Sequence, residues 1–429
     1  MRIAYVTAGA ANMYCGSCLH DNTLVTALLA QGHDALLIPT YTPIRTDEPN
    51  VSQRRVFFGG INVFLQQKSA LFRHTPWLLD RLLDAPGLLR WVTARFGFKT
   101  EAELLGELTI SMLKGEHGNQ RKEVAKLARW LATDVKPEVI NLTNAIISGL
   151  VHEVKRHVGA PVLCTLQGDD VFLESLPDAY RTRALQLIRE HCREFDGFIA
   201  TSVYYADFMA DYFSIPRERI DVIYPGLNLL QQYDSRPSSN GPPYTIGYFA
   251  RICPEKGLHV LVEAFRILRK TAGSVPCRLH VSGWLGENHR PYLEGLRQSL
   301  QQNGLEKDFS YTESPDHSSK VKFLRSLDVL SVPTTYREPK GLYILEALAA
   351  GVPVVQPRHG SFPELIEATG GGLLVNPNDP EDLAHTLGKL LVDVVHREGL
   401  GRKGREVVRQ RFTAERMARE TALVYRKYL

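Results

Sequence analysis

Residues Arg337 to Leu365 read REPKGLYILEALAAGVPVVQPRHGSFPEL. Within them Leu342 to Ala350 is a helical run stopped by Gly351, and Val352 to Gln356 is a short β-branched run of the kind buried on both faces of a parallel sheet. Helix, glycine and buried strand make half of a β/α repeat, and the matching halves appear on working back. Val329 to Val332 reads as a strand, Val321 to Ser326 as part of a helix, Arg278 to Ser282 as a strand, Leu258 to Lys270 as a helix and Thr245 to Phe249 as a strand.

The same alternation fills the first half of the chain. Arg2 to Thr7 and Asp34 to Pro39 read as strands around a helix at Leu19 to Gln31. Val139 to Leu142, Val162 to Leu166 and Phe198 to Thr201 read as further strands, with a helix at Leu185 to Glu194. The fold class predicted is α/β, with two doubly wound parallel-sheet domains. The boundaries expected are 1–228 for the first domain, 229–243 for a Pro, Ser and Gly-rich linker, 244–410 for the second domain, and 411–429 for an amphipathic helix with Met417, Thr421, Val424 and Tyr425 on one side. Residues 57–132 interrupt the first domain as a helical, aromatic insertion. It can pack over that domain or form an acceptor-binding or membrane-associating face. Two such domains would place a ligand cleft between them, at the carboxyl ends of both sheets.

Lys and Arg number 51 against 47 Asp and Glu in 429 residues, a formal charge of +4 with no polybasic block. Strong attraction to nucleic acid is not expected. No apolar run of about 18 residues occurs, and the opening MRIAYVTAG lacks a basic segment followed by an apolar one, so a cytoplasmic protein without a spanning helix is expected. The six cysteines are too sparse for a disulfide scaffold and read as reduced thiols. The spacing of Cys15 and Cys18 also suits a redox pair.

Two segments carry chemistry. Glu338 and Glu346 stand seven residues apart, the first in a loop and the second inside the helix that follows Gly341. The amides of Gly341, Leu342 and Tyr343 would be donors at a helix start, suited to a phosphate, and a carboxylate on that helix could accept from ribose hydroxyls. A cap and a solvated face is the plain alternative. In GYFARICPEKGL, residues 247–258, Arg251 and Lys256 follow a strand and precede a helix, where the two cations could neutralise a diphosphate or be ordinary surface charges.

These segments, in this order, resemble the retaining glycosyltransferases with two facing Rossmann-like domains, the GT-B fold, and within them family 4. GYFARICPEKG is similar to the family's G-R-x-x-x-x-K-G segment and REPKGLYILEALAAGVPVV to its E-x7-E segment. Gly16 and Ser17 stand where relatives carry a glycine-rich loop, and YPGLN at 224–228 is similar to the P-x-G-x-D/N segment. The resemblance implies that Arg251 and Lys256 bind the donor diphosphate, that Glu338 faces the transferred sugar, that Glu346 takes the ribose, and that Gly16, Ser17, Ser282, Gly283, Gly341, Leu342 and Tyr343 line the donor pocket. Lys340 replaces a usual aromatic residue and would add a cation there.

Relatives carry a histidine where this chain has Gln167, so Asp170 becomes the carboxylate expected nearest the acceptor, with Asp169 second; either could instead be a helix cap. Catalytic roles are thus expected for Asp170, Glu338, Arg251 and Lys256. His20, Asp21, Asn144 and Gln167 are further acceptor-side candidates, with Asn141 of the same status.

The activity implied is transfer of a hexosyl unit, with retention, from a nucleotide-diphosphate sugar to an acceptor hydroxyl on a sugar, lipid or small molecule. UDP is favoured over GDP and ADP, and base recognition is expected around Ser310 to Ser314. No D-x-D triplet occurs, so no metal ion and no cofactor beyond the donor are expected. The alternatives are a catalytically silent sugar-nucleotide binder and an epimerase or phosphorylase of the same fold.

Overall fold

The strands begin where β-branched and aliphatic residues run together and end where glycine, proline or a small polar residue releases the chain to a helix. The computed structural model describes residues 1–9, 15–53, 56–57, 102–229, 241–271, 275–314 and 316–429. These form two compact units, one of Met1–Ile223 with Ala418–Leu429, the other of Tyr224–Met417.

The first unit holds β1 (Arg2–Thr7), β2 (Asp34–Pro39), β3 (Val139–Leu142), β4 (Val162–Leu166), β5 (Gly197–Ala200) and β6 (Ile220–Val222) in the order β2-β1-β3-β4-β5-β6. All pairings are parallel, with Ile3 beside both Ala35 and Val139. An isolated parallel bridge from Leu37 to Ser52 extends the β2 edge. Ile3, Ala4, Val6, Ile140, Leu142, Val162 and Leu163 are fully buried, as expected of strands covered on both faces.

The second unit holds β7 (Tyr244–Phe249), β8 (Cys277–Ser282), β9 (Phe309–Thr312), β10 (Val329–Leu330), β11 (Val354–Pro357) and β12 (Gly372–Val375) in the order β12-β11-β10-β7-β8-β9. Again every pairing is parallel. The chain leaves β7 in one direction through β8 and β9 and then returns to its other side with β10. That reversal opens a crevice at the carboxyl ends of β7 and β10, where ligands bind in open α/β sheets.

Strands β5, β7 and β8 differ from expectation by one residue, β6, β9 and β12 have no counterpart among the expected strands, and two strands differ by two residues. The run expected at Val352 to Gln356 pairs as Val354–Pro357, because the Val352 amide closes the preceding helix on the Ala347 carbonyl at 2.9 Å and Pro353 has no N–H to give. The run at Val329 to Val332 shortens to β10 because the Val332 amide turns to the Gln356 side chain at 3.2 Å.

The first unit ends at Ile223, five residues before the expected end of the first domain at 228. The cause is local: Leu227 donates to the Phe412 carbonyl and accepts from the Ala414 amide, both at 2.9 Å, and Arg416 donates to the Tyr224 carbonyl at 2.7 Å. Those bonds also break the chain between a Val394–Arg411 helix and the last one, Ala414–Arg426, which therefore starts three residues later than expected at 411. From Ala418 that last helix belongs to the first unit, with Thr421, Val424 and Tyr425 buried.

Most of the expected linker, 230–240, and the insertion from 58 to 101 lie outside the described residues. The described end of the insertion is helical, at Ala102–Leu113 and Arg121–Trp130. Among the described residues no helix is long and apolar enough to cross a membrane, and all six cysteines are free thiols.

Candidate active site

At the carboxyl end of β7 the chain makes a single 3-10 turn, Pro254–Lys256, and then enters the Leu258–Lys270 helix through Gly257. Gly257 has φ 74°, and a Cβ there would lie 1.8 Å from the Pro333 carbonyl oxygen. Only glycine lets the turn press against the segment leaving β10, and this approach brings Lys256 to Glu338.

The Lys256 ammonium donates to Glu338 Oε2 at 2.6 Å. Tyr336 donates to the same oxygen at 2.6 Å and Tyr343 at 3.2 Å, and Lys256 also donates to the Tyr336 hydroxyl at 2.5 Å. Glu338 is buried. Burial alone would raise its pKa, but the Lys256 charge and the bonds from Lys256 and Tyr336, with Lys340 beyond, outweigh that and hold the carboxyl down to about 2. The backbone is fixed as well: the Ser361 amide donates to the Glu338 carbonyl at 2.8 Å, and Gly360, at φ 59°, lies so close that a Cβ would sit 2.6 Å from the Glu338 amide nitrogen and carbonyl oxygen.

Gly341, in the left-handed region at φ 61°, is the N-cap of the Leu342–Ala349 helix, and no side chain caps this terminus. Its first amides, with Lys340 buried just before them, form a positive end beside the carboxylate cluster. One turn on, buried Glu346 is bonded by buried Lys320 of the His317–Arg325 helix at 2.6 Å. Glu338 and Glu346 therefore have separate cations. Arg251 lies half-exposed beyond β7, 3.7 Å from Glu255. Ser282 ends β8 and shares a 2.7 Å bond with Ser314; Gly283 follows at φ 138°, where a Cβ would lie 1.8 Å from the Ala250 carbonyl oxygen. Tyr336 and Lys320 were not singled out in the sequence. A tyrosine two residues before the first glutamate, and a lysine on the inner side of the 317–325 helix, were the available signals.

In the first unit Gly16 opens the Gly16–Ala30 helix, and the Ser17 hydroxyl lies 3.4 Å from the Gln167 carbonyl. Asp21 is fully buried and accepts from Tyr5 at 3.0 Å, Thr7 at 2.9 Å, Thr143 at 2.6 Å and the Gln167 amide at 2.9 Å, with His20 Nδ1 at 3.3 Å. Burial opposes its ionisation, yet these bonds and His20 bring its pKa below the ordinary value. The Gln167 amide is turned inward, also meeting Thr143 at 2.8 Å. Expected to face an acceptor, it instead ties three strand ends together.

Asp169 is turned inward too. Its oxygens accept from the Ala145 backbone N–H at 2.6 Å and the Gln167 backbone N–H at 3.0 Å, and burial lifts its pKa to about 6. Neither aspartate is the helix cap: Gly168, at φ 113°, holds that place before Asp169–Glu174. Asp170, half-buried, accepts from Tyr205 at 2.6 Å. Asn141 donates to Thr165 at 2.9 Å, and Asn144 precedes a 3-10 turn with its buried Oδ1 unbonded.

Comparison with known proteins gives the same organisation. Residues 22–230 match Glycosyltransferase Family 4, and residues 231–407 match Glycosyl transferases group 1. A D-inositol 3-phosphate glycosyltransferase of Nocardia farcinica is 29% identical over 228 residues, 50% of this chain and 48% of that protein. An uncharacterized glycosyltransferase of Methanocaldococcus jannaschii is 26% identical over 226 residues, 50% of this chain and 55% of that one. The chain thus spans about half the length of the curated relatives it matches. Among solved structures, sucrose-phosphate synthase of Thermosynechococcus elongatus superposes with a TM-score of 0.71 at 19% identity, covering 100% of this chain and 99% of that one. HepE of Anabaena, in complex with UDP and glucose, gives 0.68 at 17%, covering 99% of each chain. These likenesses carry the fold, GT-B with its two six-stranded parallel sheets. With the two family matches running end to end, and with the arginine, lysine and paired glutamates in the order both segments require, the chain belongs to the family 4 glycosyltransferases.

Proposed function

We propose that this protein transfers a hexosyl unit, with retention of anomeric configuration and without a metal ion, from a nucleotide-diphosphate sugar to an acceptor hydroxyl. The observation that carries the reading is the pair of largely buried Lys256 and buried Glu338 beside the uncapped start of the Leu342–Ala349 helix, at the reversal point of the second sheet. Arg251, Lys256 and the first helix amides would take the diphosphate. Glu346, steadied by Lys320, would accept from the ribose. UDP is the preferred nucleotide, in keeping with the UDP held by HepE.

In the reaction the bond from the anomeric carbon to the β-phosphate oxygen breaks and its electron pair leaves with the diphosphate. The acceptor oxygen forms the new bond, and its proton passes to the departing phosphate oxygen. Cations aimed at the growing negative charge lower the barrier, which is the work a metal ion does elsewhere. Ionised Glu338 would meet the positive charge that develops on the sugar. We place the protein in the cytoplasm, in keeping with its free thiols.

The test is thermal unfolding with UDP, GDP, ADP and dTDP in EDTA, followed by product analysis with the sugar-nucleotides of the base that stabilises. A hundredfold excess over Kd adds about 2.7 kcal/mol to the native state. Stabilisation in EDTA and transfer with retained configuration support the reading. No stabilisation at millimolar nucleotide rejects it, and binding without product from any acceptor points to the silent binder.

A further inference from the structure

The two oxygens of Glu338 are treated unequally. Oε2 accepts from Lys256 and Tyr336, each at 2.6 Å, and from Tyr343 at 3.2 Å. Oε1 meets only the Lys340 amide, at 3.5 Å, among the described residues. One oxygen is therefore an anchor and the other is presented.

Lys256 is an unsteady part of that anchor under the function proposed above, because an arriving diphosphate competes for its ammonium. Tyr336 is not. It has one hydroxyl proton, directed to Glu338, and it offers a lone pair to Lys256. When the ammonium shifts, the phenol can keep its bond to Oε2, whereas without it Oε2 would retain only Tyr343. A buried carboxylate with so few donors takes up a proton more readily and turns more freely.

We propose that Tyr336 is a positioning residue of the donor site: it anchors Glu338 through Oε2 so that Oε1 is the oxygen presented to the transferred sugar, and it holds that anchor while Lys256 turns to the diphosphate. The inference rests on the donor-site reading. The other groups facing this carboxylate are Lys256, Lys340 and the Tyr343 phenol; Arg251 acts on Tyr336, and half-buried His359 feels the Glu338 charge.

The test is Tyr336→Phe, which keeps the ring and removes the hydroxyl. UDP affinity in EDTA should stay within about twofold of wild type. The kcat for sugar transfer should fall about tenfold or more, as expected for a lost hydrogen bond to a charged group, and the acid limb of kcat should move to higher pH. An unchanged kcat, or equal losses in UDP affinity and kcat, overturns the proposal. A second measurement needs no nucleotide: the 13C carboxyl titration of Glu338, assigned against Glu338→Gln, should move to higher pH in Tyr336→Phe and to lower pH when residue 336 is replaced by 3,5-difluorotyrosine, a stronger donor. A titration that moves in neither protein overturns the anchor. If wild type fails to bind any nucleotide while these titrations move, the donor reading falls and the anchor stands.

Discussion

Lys256 and Glu338, 82 positions apart in the chain, meet at 2.6 Å where both are largely buried. The cation of one segment and the carboxylate of the other thus form a neutral pair. Under the function proposed, a diphosphate would have to replace Glu338 as the partner of Lys256, and the attraction already satisfied would be subtracted from what the ligand gains.

This pairing sets an order of stabilities. Lys256→Met leaves a buried carboxylate without its ammonium and should cost about 3–5 kcal/mol. Lys256→Met with Glu338→Gln should cost less than Lys256→Met alone. Urea unfolding of wild type, both single variants and the double variant measures the difference, and additive costs would contradict the coupling.

Two carboxyls pull the pH profile in opposite directions. Glu338 is depressed to about 2, so its contribution is complete above 4.5 and is lost as pH falls through about 2. Asp169 is raised to about 6, so it favours the fold below its ordinary 3.8 and loses that contribution as pH rises through about 6. In melting curves from pH 2 to 8, Glu338→Gln should flatten the acid limb below 4.5, and Asp169→Asn should flatten the fall between 4 and 6.

Under the function proposed, Lys320 and Glu346 would serve the ribose and not the diphosphate. Lys320→Met removes the ammonium bonded to Glu346 at 2.6 Å and leaves Lys256 and Arg251 in place. Calorimetry should show affinity for UDP lowered about tenfold, the scale of a charge-assisted bond, while inorganic diphosphate binds within about twofold of wild type. Equal losses for both ligands would disconnect Glu346 from the ribose.

Gly257 and Gly304 share nearly the same backbone, φ 74° and 71°, but only Gly257 is crowded, with a would-be Cβ at 1.8 Å from the Pro333 oxygen against nothing within 4 Å at Gly304. Gly304→Ala should therefore cost about 1–2 kcal/mol, the left-handed backbone alone. Gly257→Ala should cost clearly more and also weaken nucleotide binding, because the turn that carries Lys256 must retreat. Unfolding and UDP titration on both variants check this.

The alternation of strands and helices was legible because period and punctuation are local. So were the two segments of the second unit, whose residues sit on the loops that end β7 and β10 and on the helix that follows β10. What could not be read was which side chains complete each charge. Tyr336 reaches Lys256 across 80 positions, and Lys320 reaches Glu346 across 26, through packing that no local pattern encodes. In the first unit the internal bonding of the candidate residues was not legible for a different reason. Gln167 and Asp169 follow a strand end, where polar residues commonly face ligands, but three strand ends in this fold need internal donors and acceptors, and these two side chains supply them.

The last helix returns to the first unit, and Tyr425 is fully buried there. On the ribosome this has a cost in time. The sheet made from residues 1–223 emerges early, yet the piece that covers it is translated only after the whole second unit. At roughly 5–20 residues per second, the first unit waits on the order of 10–40 s with part of its apolar surface uncovered. The second unit is contiguous from Tyr224 to Met417. Although it is synthesised later, it can finish folding first.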